Sequence, residues 1–588
     1  MDKYKKFMYI GIFILLISLV SSAGTYAWFT WISPSNTSVT LSIGNLADVT
    51  FTSGPDINIS NLALVYNYTD GVSTTFTVRN TNSTDSLLYK VKLEITSIAN
   101  ELKDESFKYT LLKDNKVVKT GNLKDAINGN TLILNTSSLD KGSTSSPKIS
   151  TFKLYFWLDG NIENNFNMMN KSLVGKIDVG VETNVITNTE SNISSTSKFL
   201  NTEVPRQNIT TLKVVDNLDI PEGATVVDVS KNSDNTIKMW YNEADANGNY
   251  DITIGSNNII YANPSGSNLF SNLTNVTSID LSNMDTSGIV GMNGMFENDK
   301  VLTNIVFGDN FNTSNATNMT AMFRGCNNLT ELDLRMFDTS NVKSMYNMFA
   351  ESGIKNVNLS SFVTHNLDGG GMQRMFFNCT KLENLDLSSF DTSSITTFEK
   401  IFYHCTSLKS LNVSNFNTSN VTNFYDMFNG CSSLKELDVS GFDTSKTVNM
   451  GNMFSGCSSL ESLDVSHFNT SNVKGMQNMF SSLKCSLDLS NFDTSNVDNL
   501  SRMFMYYKNE RLDLSSFDTS KVTSTNHMFA SSSIEYIDLR NADFSNVTDY
   551  TNMFKGISKS TIIYLKDTTG NRNFMNTNFN NITATYIS

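Results

Sequence analysis

The C-terminal half of the chain repeats one pattern of apolar and polar positions about every 26 residues. Each copy ends in an apolar pair, usually Met-Phe, and these pairs are Met295-Phe296, Met322-Phe323, Met348-Phe349, Met375-Phe376, Ile401-Phe402, Met427-Phe428, Met453-Phe454, Met479-Phe480, Met503-Phe504, Met528-Phe529 and Met553-Phe554. Neighbouring pairs are 24 to 27 residues apart, and Leu269-Phe270 stands 26 residues before the first, which predicts a degenerate leading copy. A repeat of this length is typical of a solenoid, in which each copy forms one coil.

The apolar spacing changes within each copy. Leu434, Leu437 and Val439 follow the pattern L-x-x-L-x-L, which predicts a strand with Asp438 on its opposite side. After a turn, apolar residues return at helical spacing, and in the preceding copy they are Val421, Phe424, Met427, Phe428 and Cys431. The sequence FDTSN before this segment contains residue types that cap helix N-termini. We therefore predict an α/β repeat solenoid of leucine-rich-repeat type, with one parallel strand and one short helix per coil.

A different period, of two residues, marks the N-terminal region. Apolar residues alternate with polar ones in two clear runs, which are Val91, Leu93 and Ile95, and Phe152, Leu154, Phe156 and Leu158. Such alternation predicts strands with one buried face. Asp114-Asn115 between two of the runs is typical of a tight turn. We predict an all-β sandwich over residues 39–185.

The remaining segments are assigned by composition. Residues 186–205 are rich in Ser, Thr and Asn and predict a flexible linker. Short strand-like runs in 206–272 predict a β-rich cap that closes the open end of the solenoid. The repeats then occupy 273–566, and 567–588 form a C-terminal cap.

The cap contains the sequence DANGNYD, in which Asp245, Asn247, Asn249 and Asp251 alternate. A calcium loop and a hairpin turn centred on Asn247-Gly248 are both possible interpretations. An EF-hand loop needs Gly at its sixth position and a carboxylate at its twelfth, whereas these positions hold Tyr and Ser here. The sequence therefore favours the hairpin turn.

The first residues have the form of an export signal. Lys3, Lys5 and Lys6 precede an apolar run from Phe7 to Val20, and small residues follow it. The run is shorter than the roughly 20 residues of a membrane helix. However, no charge occurs between Phe7 and Ala47, which leaves a retained anchor open. Residues 1–27 are therefore an export signal or membrane anchor, and the chain is expected to be extracellular or at the cell surface.

Composition excludes several function classes. The chain of 588 residues has 44 Lys and Arg against 57 Asp and Glu, and its net charge of −13 argues against nucleic-acid binding. The four histidines fall at four different repeat positions, and no catalytic triad, phosphate loop or paired catalytic carboxylates are found. We predict that the protein is not an enzyme and has no cofactor.

All six cysteines lie in the repeats, and five share one repeat position, at Cys326, Cys379, Cys405, Cys431 and Cys457. Free cysteine behaves as a small buried apolar residue, so core packing is the favoured interpretation. Disulfides between neighbouring coils and a metal ladder remain as alternatives.

Aspartates form a column along the repeats, at Asp280, Asp333, Asp386, Asp438, Asp464, Asp488, Asp513 and Asp538. Val306, Asn358 and Asn412 interrupt it. A strand in each coil would place this column on the outer face of a sheet. It is either a solvated surface that discourages aggregation or a ligand face that selects cations, basic protein patches or polar glycans. The candidate ligand-face residues are Asp386, Asp438, Asp464, Asp488 and Asp513.

The repeats resemble a known family. LDLSSFDTSSITTFEKIF at 385–402 and LDLSNFDTSNVDNLSRMF at 487–504 are similar to the 26-residue BspA-type leucine-rich repeats of bacterial surface proteins. The resemblance implies a surface-exposed binding protein, with adhesion to host or matrix components in some relatives. Two departures are Gly369-Gly370-Gly371, which enlarges one turn, and a shortened copy at 481–489.

The N-terminal region resembles a second family. GTYAWFT after the apolar run, FKLYFWLDGN and LVGKIDVGVETN look like the TasA/camelysin-type exported proteins of Gram-positive bacteria. This resemblance implies a jelly-roll domain, a dedicated signal peptidase and, in some members, fibre formation. Camelysin-like members have been classed as metallopeptidases, but the region contains neither HExxH nor histidine.

Together these features predict an exported binding or adhesion protein whose repeats present a recognition face to a host or matrix protein or glycan. The alternative is a structural biofilm-matrix or fibre subunit that polymerises through the N-terminal sandwich. Self-association through this domain is a possible interaction in either case. We expect no nucleic-acid partner, and membrane contact only through the N-terminal segment if it is not cleaved.

Overall fold

The computed structural model of the protein describes residues 38–43, 46–52, 57–59, 64–80, 87–127, 129–140, 142–143, 145–161, 168, 171–182, 184–187, 193–242, 246–579 and 582–587. The predicted export signal or anchor at 1–27 lies outside these residues. Within them, no helix has the length and apolar character that crossing a membrane requires.

The chain divides into two compact units. Among the described residues, the first unit comprises those within 38–84, 90–135 and 141–180. The second comprises those within 85–89, 136–140 and 181–587.

The N-terminal strands form two sheets. The strands are β1 (Ser38–Ile43), β2 (Leu46–Thr52), β3 (Ile57–Ile59), β4 (Leu64–Val65), β5 (Val72–Asn80), β6 (Leu87–Ile98), β7 (Phe107–Lys113), β8 (Lys116–Asn122), β9 (Thr131–Leu139), β10 (Lys148–Asp159) and β11 (Leu173–Val181). One sheet has the order β1-β2-β5-β10-β7-β8 with β4 beside β10, and the other has the order β3-β11-β6-β9. Short 3₁₀ turns lie at Tyr68–Asp70 and Asn100–Leu102.

The predicted alternation is confirmed in the longest N-terminal strands. Val91, Leu93 and Ile95 on β6 are buried, as are the alternating apolar residues of β10. On the face of the larger sheet, the rings of Phe76 and Phe152 stack with centroids 5.1 Å apart. The predicted turn at Asp114-Asn115 joins β7 to β8, and both residues adopt positive φ. Paired aromatic side chains on adjacent strands stabilise a sheet.

The strands of the C-terminal part are shorter. They are β12 (Ile209–Val215), β13 (Thr225–Asp228), β14 (Lys238–Tyr241), β15 (Tyr250–Gly255), β16 (Ile260–Tyr261), β17 (Ser278–Leu281), β18 (Met284–Asp285), β19 (Asn304–Phe307), β20 (Glu331–Leu332), β21 (Asn356–Val357), β22 (Asn384–Asp386), β23 (Ser410–Asn412), β24 (Arg511–Asp513), β25 (Tyr536–Leu539), β26 (Ile562–Lys566) and β27 (Ala584–Ile587). They form sheets of order β13-β14-β15-β12-β17-β19, β16-β18, β20-β21-β22-β23 and β24-β25-β26-β27. Two further 3₁₀ turns are Phe199–Asn201 and Arg206–Asn208.

The strands before the first repeat belong to the same apolar core as the repeats. In the segment predicted as a linker, Ile186, Phe199, Leu200 and Val204 are buried in that core. The predicted hairpin turn is confirmed, because β14 and β15 pair antiparallel on either side of residues 242–249. Gly248 in this turn has a φ of +77°, which glycine adopts without a steric penalty.

The predicted α/β solenoid with a helix in each coil is wrong. Within the described residues the one α-helix is α1 (Thr569–Asn578), which follows the last repeat. The segment that ends in Met-Phe consists of turns. Its backbone N–H groups donate alternately to a carbonyl three residues earlier in the same coil and to a carbonyl of the next coil. Met453 N–H donates to Met450 O at 3.2 Å, whereas Phe454 N–H donates to Met479 O in the next coil at 3.1 Å. The coils are therefore joined by short strands on one side and by a ladder of turns on the other.

Backbone conformation explains why no helix forms. The residue before each apolar pair has a φ of 55 to 60°, and these residues are Gly294, Ala321, Asn347, Arg374, Lys400, Asp426, Asn452, Asn478, Arg502, His527 and Asn552. An α-helix requires a φ near −60°, so each of these residues interrupts it. The apolar spacing resembles that of a helix because turns closed by hydrogen bonds three residues apart also bring every third residue to one side. The spacing was therefore a correct sign of burial and a misleading sign of helix.

Stacked phenylalanine rings run through the repeats. Twelve rings stack with centroids 5.4 to 6.1 Å apart, and they belong to Phe270, Phe296, Phe323, Phe349, Phe376, Phe402, Phe428, Phe454, Phe480, Phe504, Phe529 and Phe554. Phe579 ends the stack edge-on, 5.0 Å from Phe554. The predicted leading copy is confirmed, since Phe270 N–H donates to Met295 O at 2.9 Å.

The threonine of the FDTS motif joins neighbouring coils. Thr444 Oγ1 donates to Asn469 O at 3.0 Å and accepts from Asn469 N–H at 2.8 Å. Equivalent threonines donate to the next coil in the same way, at Thr286, Thr313, Thr339, Thr364, Thr392, Thr418, Thr470, Thr494 and Thr519. The predicted capping role of this motif is therefore wrong, because the motif satisfies backbone groups of the next coil and no helix follows it.

The cysteines are buried and free. Each thiol of the shared repeat position donates to a carbonyl of the preceding coil, as Cys431 Sγ does to Phe402 O at 3.2 Å. Burial raises the pKa of Cys431 to about 12, which keeps the thiol protonated. The core-packing interpretation of the cysteines is confirmed.

Candidate ligand-binding groove

Each member of the aspartate column forms the same local turn. The side-chain Oδ1 accepts the backbone N–H of the residue two positions later, and in Asp438 this bond to Ser440 is 2.9 Å long. Asn358 and Asn412, which interrupt the column, do the same with Ser360 at 3.0 Å and Ser414 at 3.2 Å. Turns of this kind need one oxygen acceptor, which Asp and Asn share. The column therefore has a structural cause that is independent of any ligand.

The five predicted ligand-face residues lie in one column and are exposed, at Asp386, Asp438, Asp464, Asp488 and Asp513. Hydrogen bonds from the serine two positions later lower the pKa of the first four. Two other members of the column lie beside arginines. Asp538 is buried against Arg540, and Arg335 lowers the pKa of Asp333 to about 2. The carboxylates whose pKa is lowered in this way are therefore charged at neutral pH.

A groove lies on the exposed side of the sheet β20-β21-β22-β23. Its volume is about 750 Å³, and its lining consists of Asn356, Val357, Asn358, Leu359, Ser360, Asn384, Leu385, Asp386, Ser388, Ser389, Ser410 and Asn412. Of the predicted ligand-face residues, Asp386 alone lines this groove. The other four continue the same column beyond it. The glycine-rich turn at Gly369-Gly370-Gly371 does not line it.

Strand pairing brings the polar groups of the groove together. Asn356 on β21 pairs with Asn384 on β22, and Asp386 pairs with Asn412 on β23. Asn384 Nδ2 donates to Asn356 Oδ1 at 3.2 Å. A hydrogen bond from Asn412 contributes to the lowered pKa of Asp386. The groove thus carries several amides around one carboxylate.

The sequence alone did not single out Asn356, Asn384 and Ser410. They stand two residues before the aspartate column, at positions that vary among the copies. In the sequence, Asn358 and Asn412 stand out only as interruptions of that column, yet both line the groove. In the described part of the chain, no group of three or more His, Cys, Asp or Glu is arranged to hold a metal ion.

One family model matches this chain. It is described as a Mycoplasma protein of unknown function, DUF285, and it matches residues 265–370, 370–486 and 462–567. These matches run from the leading copy to the last repeat and cover just over half of the 588 residues. No curated protein and no solved structure matches the chain.

Proposed function

The chain belongs to the family DUF285, Mycoplasma protein of unknown function, and we propose that it is an exported cell-surface binding protein. Its repeats present a recognition face to a host or matrix protein or glycan. Support comes from the lysine-flanked apolar run within residues 1–27 and from the resemblance to BspA-type surface repeats. The TasA/camelysin resemblance of the N-terminal region also supports export.

The main structural support for a binding function is the groove on β20-β21-β22-β23. In the aspartate column, one oxygen of each side chain serves a turn, so its presence there is explained by folding. Asn356 and Asn384 make no such turn, and both are exposed in the groove. Binding sites are concave, and convergent polar groups in them fix the orientation of the ligand and its specificity. We therefore assign ligand recognition to Asn356 and Asn384.

Binding of the labelled full-length protein to an array of glycans and extracellular-matrix proteins tests this proposal. We expect saturable binding that Asn356→Ala with Asn384→Ala reduces. Ser462→Ala is the matched control, because Ser462 is exposed at the equivalent position of a later copy. Binding that the groove substitutions leave unchanged would refute recognition by this face. Ordered filaments with no binding to any array member would favour a fibre subunit.

Export is tested separately, by protease treatment of intact cells that express the chain. We expect the repeats to be digested while a cytoplasmic marker protein remains intact. Full protection of the repeats until the cells are lysed would contradict a surface location.

A further inference from the structure

We infer that the groove on β20-β21-β22-β23 binds a neutral, polyhydroxylated ligand, which is an uncharged glycan segment. This inference rests on the proposed function and narrows its ligand class. The groove exposes the amides of Asn356, Asn358, Asn384 and Asn412 and the carboxylate of Asp386. A sugar hydroxyl both donates and accepts hydrogen bonds, so it can pair with an amide N–H, an amide oxygen or a carboxylate.

The turns decide which atoms the side chains offer to a ligand. The oxygen of Asn358 accepts the N–H and the hydroxyl of Ser360, at 3.0 and 2.8 Å. Asn412 Oδ1 is held in the same way by Ser414. Asn358 therefore presents its Nδ2 group as a donor, whereas Asn412 already donates one hydrogen bond from Nδ2 to Asp386 and has one N–H left.

Asp386 supplies the complementary acceptor. Its Oδ1 accepts Ser388 N–H at 2.9 Å, so the turn does not use Oδ2, and Asp386 lines the groove. Asp386 pairs with Asn412 across neighbouring strands, whose backbones lie about 4.8 Å apart, and it also accepts a hydrogen bond from the Asn412 side chain. Because the turns already fix these side chains, a ligand would bind with little loss of side-chain entropy.

Charged ligands fit the groove poorly. Among the described residues that line it there is no Lys, Arg or His, so an anion would meet Asp386 without a compensating cation. A calcium ion takes six to eight oxygen ligands, usually including several carboxylates, and the groove contains a single carboxylate. The ligand that matches the lining carries hydroxyl groups and no net charge.

A protein ligand fits less well than a glycan. Protein interfaces are anchored by buried Trp, Tyr or Arg side chains that meet apolar pockets. Of the three apolar lining residues, Leu359 and Leu385 are 1% and 3% exposed and belong to the core, and Val357 is partly buried and packs against it. A surface with the expected anchors does occur on the last sheet, where Arg511 lies 3.9 Å above the ring of Tyr536. The described residues that line the groove include no Trp, Tyr or Arg that could anchor a protein in this way.

The test uses the full chain and three immobilised probe sets, which are neutral oligosaccharides, sialylated or sulfated oligosaccharides, and random peptides. We expect binding to the neutral set, with the same strength at low and high salt, since screening affects only charged partners. Asn356→Ala with Asn384→Ala should weaken it at least about tenfold. Asn356→Ser with Asn384→Ser provides a second, milder variant, and Ser462→Ala is the control. Circular dichroism of each variant checks that the fold is retained.

The outcomes separate this inference from the proposed function. Groove-dependent binding of peptides or charged oligosaccharides alone would overturn the inference and leave the surface-binding proposal standing. Binding that none of the groove variants weakens, or no binding to any probe set, would count against both.

Discussion

Two regions of the same face, residues 356–412 and residues 436–490, share one backbone turn and differ in what surrounds it. In the first region the turn residues are Asn358, Asp386 and Asn412, and they line a groove with Asn356 and Asn384. In the second, Asp438, Asp464 and Asp488 stand in succession, and no strand is assigned between β23 and β24 within these fully described residues. The same turn therefore serves a mixed amide site and a purely acidic surface.

This difference shows which residues can inform us about binding. The turn uses one oxygen, which Asp and Asn both supply, so folding alone accounts for either residue in both regions. Two groups remain for a ligand. One is the other terminal atom of that side chain, which is Oδ2 in Asp and Nδ2 in Asn, and the other is the side chain two positions earlier. In the later region these earlier residues are Glu436, Ser462 and Ser486, which would add charge or a short hydroxyl where the groove has amides.

The largest expected effect is a loss of unfolding free energy, and it tests whether both regions pack against one continuous apolar core. Phe402 and Phe454 are fully buried in the phenylalanine stack, one near each region. We expect Phe402→Ala and Phe454→Ala each to lower the free energy of unfolding by about 3 to 5 kcal/mol, because each leaves a cavity. Urea denaturation measures the loss. A large loss in one variant and none in the other would show that the two regions fold independently.

The hydrogen bonds that threonine hydroxyls make between coils give the second largest expected loss of stability. Thr339 and Thr444 are buried, and each both donates to and accepts from the backbone of the next coil. Thr→Val at either site should cost about 1 to 3 kcal/mol, because a partly buried N–H and C=O of the next coil lose their hydroxyl partner. Thr→Ser at the same sites is the control that keeps the hydroxyl. Equal stability of the Val and Ser variants in thermal melts would refute this role.

These two predictions concern features that were only partly legible in the sequence. The Met-Phe period correctly indicated stacked copies, and Leu434, Met453 and Phe454 are buried as expected. The helix was wrong because i, i+3 spacing also arises from three-residue turns. The asparagine at position 452, which adopts positive φ, was an available sign of those turns.

The groove could not be read from the sequence for a different reason. Asn356 and Asn384 are ordinary exposed polar residues that lie 28 positions apart, and only strand pairing makes them neighbours. The aspartate column, in contrast, was visible because it recurs. A residue that recurs in every copy indicates a structural requirement of the coil. A binding site, in contrast, is formed by residues that differ between a few coils and the rest.

A matched pair of charge changes sharpens the comparison. Asp386→Asn and Asp464→Asn both keep the turn oxygen and remove one negative charge. We expect Asp386→Asn to weaken binding of a neutral oligosaccharide about tenfold, since it replaces an acceptor in the groove by a donor. Asp464→Asn should leave binding unchanged, and both variants should remain folded at neutral pH with at most a small loss of stability. If Asp464→Asn weakened binding equally, the whole column would be the ligand face.

The smallest effect is a pH dependence. Hydrogen bonds lower the pKa of Asp438, Asp464 and Asp488 below the ordinary value of 3.8. As the pH falls toward that value, the unfolded chain binds more protons than the folded one, so this stabilisation is present above pH 4 and is lost below it. We expect Asp438→Asn, Asp464→Asn and Asp488→Asn together to make the acid-side fall of the melting temperature shallower. Identical melting curves for variant and unmodified protein from pH 5 to pH 3 would contradict this.

The central claim is that residues 356–412 recognise a ligand and residues 436–490 do not. Isothermal titration of a neutral oligosaccharide into the full chain, Asn384→Ala and Ser462→Ala tests it most directly. The account predicts a Kd about tenfold higher for Asn384→Ala and an unchanged Kd for Ser462→Ala, with equal unfolding free energies. The same Kd for all three proteins would contradict it.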